Sequence, residues 1–498
     1  MVLGVLLLAL LGCAGAPSVG PGAAPQRPEL EWELACDAWM QQLDRLLEEQ
    51  GVRDGSAARV AGFAHARVDR LLASFATEAQ ASPAQWRAWA HRAAALDREA
   101  RRWEVLNLPD AAVERLGAGG RSAATRRTAA CADRAWSALH ADSALQRALL
   151  DRAQVPDDYA LWKRVVGLYP LTRWPFYAGV ERWQAGWERR LLQAQTEPGS
   201  SQSRLRWSPA NQAMSPSDVT AIMAAITQDA LGIPQPSEAQ VSGLLQAFAP
   251  LIEVDQGGLF DRIGRLHWGT AVAPQVDAGQ PTVYARVAHT RYGESTLLQL
   301  VYSVWFSERP AEGALDLLAG AVDGVVVRLT LSPDGRVLVA DSIHACGCYH
   351  LFVPGQGLVP RPAPRFGEEW AFAPLQLPAM APGERLLWRL TSGSHMVESV
   401  TVAPQPREVF GGVYTLIHED QLRSLVTPTG GRRSAFALDG IMPGTERGER
   451  VFFWPMGIAS PGAMRQWGRQ PTAFVGRRHF DDPRLIEERF ELGADWLP

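Results

Sequence analysis

The chain of 498 residues contains a single lysine, Lys163. A phosphate-binding P-loop needs a Gly-Lys pair, and Lys163 lies in the segment LWKRVV, which follows no glycine-rich loop. A pyridoxal phosphate Schiff base would have to use the same residue, in a segment whose apolar spacing predicts a plain helix. The scarcity of lysine therefore argues against a P-loop nucleotide site and against pyridoxal phosphate chemistry.

Other motifs that carry chemistry are missing as well. The sequence has no GxGxxG after a predicted strand, no GxSxG, no CxxCH for c-type haem and no HExxH. The nearest approach to HExxH is HEDQL at 418–422, where Leu422 replaces the second histidine. We therefore expect neither a nucleotide nor haem c as a cofactor. The net charge of −4 gives no reason to expect nucleic acid as a partner.

Long apolar runs are absent from the chain after its N-terminal segment. No later stretch approaches the roughly 18 apolar residues of a transmembrane helix. Residues 1–12 form an apolar run of signal-peptide length, and the run ends in Leu10-Leu11-Gly12-Cys13. This ending resembles the lipobox of bacterial lipoproteins. The resemblance implies that residues 1–12 are removed and that Cys13 is lipidated as the mature N-terminus. An ordinary secretory signal is the alternative.

The residues after Cys13 extend the same resemblance. Ala14, in place of an aspartate, is similar to the outer-membrane sorting pattern of Gram-negative lipoproteins. Residues 13–30 are rich in Gly, Pro and Ala, which predicts a flexible tether. The resemblance implies a protein held by its N-terminal lipid on the periplasmic face of the outer membrane.

The rest of the chain predicts an α+β protein with a helical N-terminal domain and a β-rich C-terminal domain. Apolar residues recur at helical spacing over residues 31–193, as in Trp39, Leu43 and Leu46. Residues 194–216 have the composition of a linker. Residues 217–498 open with two short helices, whose starts are marked by Ser215 and by a capping box of Ser237 and Gln240. The pattern then alternates with period two, which predicts an antiparallel sheet or sandwich. Residues predicted to share a strand face are Val283 with Ala285, Leu300 with Tyr302 and Val304, and Val325 with Val327.

Three apolar segments carry further predictions. Trp162, Val165 and Val166 have helical spacing, and Trp183 and Trp187 lie one turn apart on a further predicted helix. These tryptophan-rich stripes could form an aromatic ligand groove, but we interpret them as core between packed helices. The segment RVFFWP at 450–455 is interpreted as one of the short strands of the β-rich domain.

Five cysteines are present. Cys36 and Cys131 lie on the apolar stripes of two predicted helices in the same domain, so they could meet in its core. In the oxidising periplasm they could form a disulfide that closes a loop of about 95 residues. Two buried free thiols are the alternative. Cys346 and Cys348 could then pair with each other or bind a metal.

The segment DSIHACGCYH at 341–350 is the most suggestive of chemistry. If the strand that precedes it continues, His344, Cys346, Cys348 and His350 share one face. Histidine and cysteine are ligands of zinc and copper, and His289 could complete a metal site. A straight strand would hold the two histidines about 20 Å apart, so a single ion requires a bend, for which Gly347 is suited.

Other interpretations of this segment remain open. Cys346 and Cys348 could form an easily reduced disulfide, one thiol could be a nucleophile with a histidine as base, or the polar residues could be merely buried and paired. The loop HTRYGES at 289–295 offers Arg291 and Glu294 as a candidate pocket wall. Our leading hypothesis is a periplasmic lipoprotein with a metal-binding or redox-active site at 344–350. The other is a non-catalytic envelope module that binds a protein partner.

Overall fold

A computed structural model of the chain describes residues 31–196, 203–211, 214–269, 273–363, 367–381, 384–404 and 411–493. The predicted signal peptide, the tether and Cys13 lie outside the described residues. Within them, no helix has the length and apolarity needed to cross a bilayer.

The α-helices begin and end at the following residues: α1 Glu31–Glu49, α2 Arg70–Ala73, α3 Pro83–Asn107, α4 Asp110–Arg115, α5 Arg121–Ala141, α6 Ser143–Asp151, α7 Leu161–Val166, α8 Tyr169–Thr196, α9 Pro216–Ala224, α10 Glu238–Ala247, α11 Arg450–Phe453 and α12 Leu485–Arg489. The strands are β1 Ala58–Val60, β2 Phe63–Val68, β3 Arg204–Pro209, β4 Thr227–Gln228, β5 Pro234–Gln235, β6 Leu251–Asp255, β7 Arg265–Trp268, β8 Pro274–Asp277, β9 Thr282–Tyr292, β10 Ser295–Arg309, β11 Gly320–Leu331, β12 Val337–His344, β13 Leu351–Pro354, β14 Leu358–Pro360, β15 Glu384–Leu390, β16 Val397–Pro404, β17 Gly412–His418, β18 Leu425–Val426, β19 Arg432–Arg433 and β20 Phe490–Leu492.

The N-terminal region is helical from α1 to α8, as predicted, except for the β1–β2 hairpin. The hairpin is joined to α3 by Arg67, which is fully buried and bonds to Asp97 at 3.1 Å and Glu104 at 2.7 Å. These strands are too short for periodicity to reveal them. A disulfide joins Cys36 of α1 to Cys131 of α5, so the predicted pairing is confirmed.

The C-terminal region is built on a ten-stranded sheet in the order β13-β12-β11-β10-β9-β17-β3-β6-β15-β16. Strands β9 to β13 form an antiparallel meander, whereas β17 pairs in parallel with both β9 and β3, and β6 pairs in parallel with β15. The predicted β-rich half is therefore confirmed, but its sheet is mixed rather than antiparallel. Helices α9 and α10 precede most of these strands, and Ser215 and the Ser237–Gln240 capping box begin them as predicted.

The predicted linker at 194–216 contains a strand of this sheet. Helix α8 runs on to Thr196, and β3 lies between β17 and β6. Arg206 on β3 bonds to Glu253 of β6 at 2.6 Å, while Trp207 is buried in the core. The polar residues that suggested a linker thus form cross-strand ion pairs in the middle of the sheet.

Both faces of the sheet are covered. Leu300, Tyr302 and Val304 of β10 belong to one core, and Val301 and Trp305 of the same strand belong to another on the opposite face. The strand faces predicted from alternation are therefore confirmed. The segment RVFFWP, however, forms α11 and a following 3-10 turn instead of a strand.

Candidate functional site

The segment 341–350 is a tight hairpin, not a continuous strand. Strand β12 ends at His344, the chain reverses over residues 345–349, and β13 pairs back onto β12 with Ser342 opposite Leu351. Gly347 has a φ of +97°, and the Cys348 carbonyl accepts a hydrogen bond from the His344 N–H at 3.0 Å. A side chain at position 347 would meet the Pro471 carbonyl oxygen at 2.3 Å. Glycine is therefore required at this bend, as the sequence suggested.

The reversal places the two histidines on opposite faces of the sheet. His344 faces the same core as its cross-strand partner Val325, and its ring packs edge-on against Tyr349. His350 stacks on Phe352 on the other face and contacts Asp341, with 2.8 Å between Nε2 and Oδ2. The prediction that His344, Cys346, Cys348 and His350 share one face is therefore wrong, because the turn changes which face the following residues point to.

Both cysteines of the hairpin line one cavity. Its volume is about 460 Å³, and its wall includes Cys346, Gly347 and Cys348 from the turn together with Phe176 and Trp183 from α8. Cys346 is buried, Cys348 is half-buried, and neither takes part in a disulfide. The Cys348 N–H donates to Cys346 Sγ at 3.4 Å. The two thiols are thus neighbours on the wall of a largely apolar cavity.

Two buried ionisable side chains at this site form no direct ion pair within the described part of the chain, although the charges of Arg309 and Arg447 reach Glu449 and that of Asp158 reaches Arg465. The Glu449 carboxylate lines the cavity and has no ion pair within the described part of the chain, and burial raises its pKa to about 7. The Arg465 backbone N–H donates to the Ala345 carbonyl beside Cys346. Its buried guanidinium donates only to backbone carbonyls of the described residues, and its Nε has no acceptor there. An uncompensated buried charge is costly, and such charges concentrate at functional sites.

The charges at the site distinguish the two thiols. The pKa of Cys348 is raised well above its usual value by its hydrogen bond with Cys346, by burial and by the nearby Glu449. The backbone N–H of Cys348 donates to Cys346 Sγ, so Cys346 is the acceptor of the pair. Cys348 is therefore the thiol whose ionisation is opposed by its surroundings.

A buried chain of histidines and carboxylates lies on the His344 side of the sheet. His395 stacks on Phe306 at 3.8 Å between ring centres and contacts Asp323 at 2.8 Å. Asp323 in turn lies 3.8 Å from His344, and Asp261 lies 3.5 Å from the other ring nitrogen of His395. Although burial alone would raise the pKa of Asp323, the hydrogen bond from His395 and the charges of both histidines lower it to about 2. His344 thus lies near Asp323, but 3.8 Å between its nitrogen and the carboxylate oxygen is longer than a hydrogen bond.

The other residues singled out in the sequence lie away from the cavity wall. His289 on β9 contacts the Pro234 carbonyl at 3.2 Å. Arg291 donates to the Ser74 carbonyl at 2.6 Å and pairs with Glu78, so it joins the sheet to the N-terminal region. Glu294 is exposed in the β9–β10 turn. The structure does not bring these three residues to the cysteines.

The described residues contain no group of three or more His, Cys, Asp or Glu side chains arranged to hold a metal ion. Glu449, Arg465 and Phe176 could not be linked to the cysteines from the sequence, because they lie far from them along the chain. Only the stacked Trp183–Trp187 pair, one turn apart on α8, was noticeable in the pattern. No family model, curated protein or solved structure matches this chain.

Proposed function

We propose that the protein is a lipid-anchored protein of the periplasm whose Cys346–Cys348 pair exchanges electrons with an apolar disulfide or dithiol in the cavity. The observation that carries this proposal is the pair of thiols, separated by one residue, on the wall of a cavity of about 460 Å³. His350 also lines this cavity, but its Nε2 contacts Asp341 at 2.8 Å, and His344 lies on the opposite face of the sheet, 3.8 Å from Asp323. This geometry favours the redox interpretation over a His/Cys metal site.

The reaction needs only groups that the site holds and a substrate disulfide. The Cys346 thiolate attacks one sulfur of the substrate, forms a mixed disulfide and releases the first substrate thiolate. Cys348 then loses its proton to Glu449 and attacks Cys346 Sγ, which releases the second thiolate. The cysteine pair is oxidised to a disulfide, the substrate is reduced to two thiols, and the two protein protons end on the released sulfurs. In reverse, the same steps oxidise a dithiol.

The charges around the pair support these roles. Burial lowers the pKa of Arg465, and the negative charges of Asp158, Cys346 and Cys348 oppose this shift. A cation this close to the cysteines stabilises a thiolate. Glu449 has a pKa of about 7, so it can accept and return a proton near neutral pH. The apolar wall from Phe176 and Trp183 favours a neutral substrate over a charged one.

The experiment uses 4,4′-dithiodipyridine, a neutral aromatic disulfide whose thiol product absorbs light. Wild-type protein, reduced so that Cys36–Cys131 stays intact, should release two thiols per chain and keep no adduct. Cys348→Ser should release one and retain a mixed disulfide on Cys346, seen as a mass increase. Cys346→Ser should react slowly, because the pKa of the remaining Cys348 thiol is raised and little of it is thiolate at neutral pH.

The double variant Cys346→Ser/Cys348→Ser is the matched control and should release nothing. Two stable adducts on the wild-type chain would mean two independent thiols and would overturn the proposal. Stoichiometric zinc or copper in purified wild-type protein, lost in the double variant, would instead support the metal interpretation. If the double variant is as stable as wild type and neither reaction nor metal is found, the segment is structural, as expected of a non-catalytic envelope module.

The anchoring part of the proposal rests on the lipobox-like residues and needs its own test. Cys13→Ser should leave the precursor unprocessed or release the protein from the membrane fraction. Normal processing and membrane attachment of this variant would contradict lipidation at Cys13.

A further inference from the structure

An apolar surface lies beside the cavity. Its members are large side chains from α7, the start of α8 and α11, each between 60% and 69% exposed: Trp162, Val165, Val166, Leu171, Val451 and Phe452. We call this set the α7–α11 patch. The helical stripe at 162–166, which the sequence suggested was core, is therefore on the surface. Contiguous exposed apolar surface of this kind usually marks a binding site.

The patch is held rigidly by the opposite face of α7. The buried guanidinium of Arg164 donates to the carbonyls of Met456 at 2.8 Å and Gly476 at 2.6 Å. A side chain added at Gly167 would meet the Pro455 Cβ at 2.6 Å, so the end of α7 lies directly against the residues that follow α11. The α7 and α11 parts of the patch are thus neighbours on one fixed surface.

The patch continues into the wall of the cavity. Leu171 is four residues before Pro175 on α8, and Pro175 and Phe176 line the cavity. On α11, the exposed Phe452 is followed by Phe453, which lines the cavity and contacts the Phe176 ring at 5.3 Å between centres. An apolar path therefore connects the exposed surface with the space that contains the cysteines.

The charged residues within the segments that form the patch are basic. Residues 161–174 and 450–456 contain Lys163, Arg173, Arg450 and the buried Arg164, with no aspartate or glutamate, whereas the buried Glu449 and the exposed Glu446 directly precede α11. Arg450 is exposed and Lys163 is half-buried. Protein–protein interfaces are depleted in lysine, whereas an apolar face with tryptophan and a basic rim is typical of helices that lie in the lipid headgroup region.

We infer that the α7–α11 patch inserts into the surface of an anionic lipid bilayer and brings the mouth of the cavity to the membrane. This inference does not depend on the proposed thiol chemistry, since the patch and the cysteine pair consist of different residues. An N-terminal lipid is also not required for it, although a second membrane contact would strengthen a single lipid anchor. The position of the cavity would allow an apolar molecule to reach it from the lipid phase.

Hydroxyl-radical footprinting of the full chain tests this inference. The chain is reconstituted in vesicles of phosphatidylethanolamine and phosphatidylglycerol, or in vesicles of phosphatidylcholine alone. In the anionic vesicles, oxidation of Trp162, Leu171 and Phe452 should fall several-fold. Oxidation of Leu259 and Val426, which are 72% and 58% exposed outside the patch, should not change.

A charge variant supplies the second measurement. Lys163→Gln/Arg450→Gln should weaken binding to the anionic vesicles by about fivefold for each charge removed, without affecting thiol release from 4,4′-dithiodipyridine. The matched control is Arg115→Gln, an exposed arginine on α4, which should bind as wild type does. If the oxidation of the patch residues, like that of the control residues, is the same in both vesicle types, the inference is overturned. Protection that occurs without lipid and grows with protein concentration would assign the patch to a second copy of the chain, and would overturn it too.

Discussion

Replacing Asp341 by asparagine should destabilise the hairpin that carries the two cysteines. The Asp341 carboxylate is fully buried and bonds to Arg328 at 3.0 Å through Nε and at 2.5 Å through Nη2, and to His350 at 2.8 Å. Asparagine keeps the size of the side chain but leaves the buried guanidinium without its counter-charge. Breaking a buried pair in this way typically costs about 3–5 kcal/mol. We expect a loss of that size in the free energy of unfolding, measured in urea at pH 7.

The destabilisation caused by Asp341→Asn should depend on pH in a defined direction. Burial alone would raise the pKa of Asp341, but the charge of Arg328 and the hydrogen bond with His350 hold it below its usual value. A carboxyl group whose pKa is lower in the folded than in the unfolded state stabilises the fold at pH values above its unfolded pKa of about 4. This stabilisation is lost as the pH falls through the folded-state pKa. The difference between wild type and Asp341→Asn should therefore be full at pH 7 and shrink in acid.

The matched control is Asp334→Asn in the β11–β12 turn. Asp334 pairs with Arg336 at 2.7 Å, but both side chains are about half exposed, so the loss should not exceed about 1 kcal/mol. The double variant Arg328→Met/Asp341→Asn should be more stable than Asp341→Asn alone, because no unpaired charge remains. If Asp341→Asn costs no more than Asp334→Asn, the account of the hairpin as fixed by a buried ion pair is refuted.

Three further outcomes are expected from the same measurements. Glu449→Gln should stabilise the protein by up to about 3 kcal/mol at pH 8 and by almost nothing at pH 4, because the raised pKa of Glu449 makes its charged form unfavourable; equal effects at both pH values would contradict this. Cys36→Ala/Cys131→Ala should lower the free energy of unfolding by about 2–4 kcal/mol, since the bond joins residues 95 apart, and a reductant should then have no further effect on the melting temperature. Gly347→Ala should cost at least about 1–2 kcal/mol because of its left-handed backbone, and formation of the neighbouring disulfide should slow; an unchanged rate would show that the bend is not needed.

Local patterns determined much of the fold. Alternating apolar residues identified the core faces of β9, β10 and β11, because successive side chains of a strand point to opposite faces. The helical stripes of α1 and α5 brought Cys36 and Cys131 into one core, where they form the disulfide. Ser215 and the Ser237–Gln240 box marked the starts of α9 and α10, since a cap is satisfied within one turn of the helix.

The sequence also identified the segment of the candidate site, but not its geometry. Spacing alone predicted that His344, Cys346, Cys348 and His350 would share one face of a strand, and Gly347 showed that a bend was possible. Whether the chain bends is decided by contacts from distant residues, such as the close approach of Pro471 to Gly347. The bend keeps the two thiols together and sends each histidine to a different aspartate.

Only the tertiary structure decided which residues are buried and which residues they contact. An apolar stripe such as Trp162, Val165 and Val166 has the same pattern whether another helix covers it or not, and here the chain leaves it exposed. Strand β3 looked like a linker because the ion-pair partners of its arginines lie about 50 residues away on β6. Glu449 and Arg465 are about 100 residues beyond the cysteines in sequence and reach them only through the folded sheet. Periodicity reports local geometry within a few residues, whereas burial and charge pairing depend on contacts that only the folded chain creates.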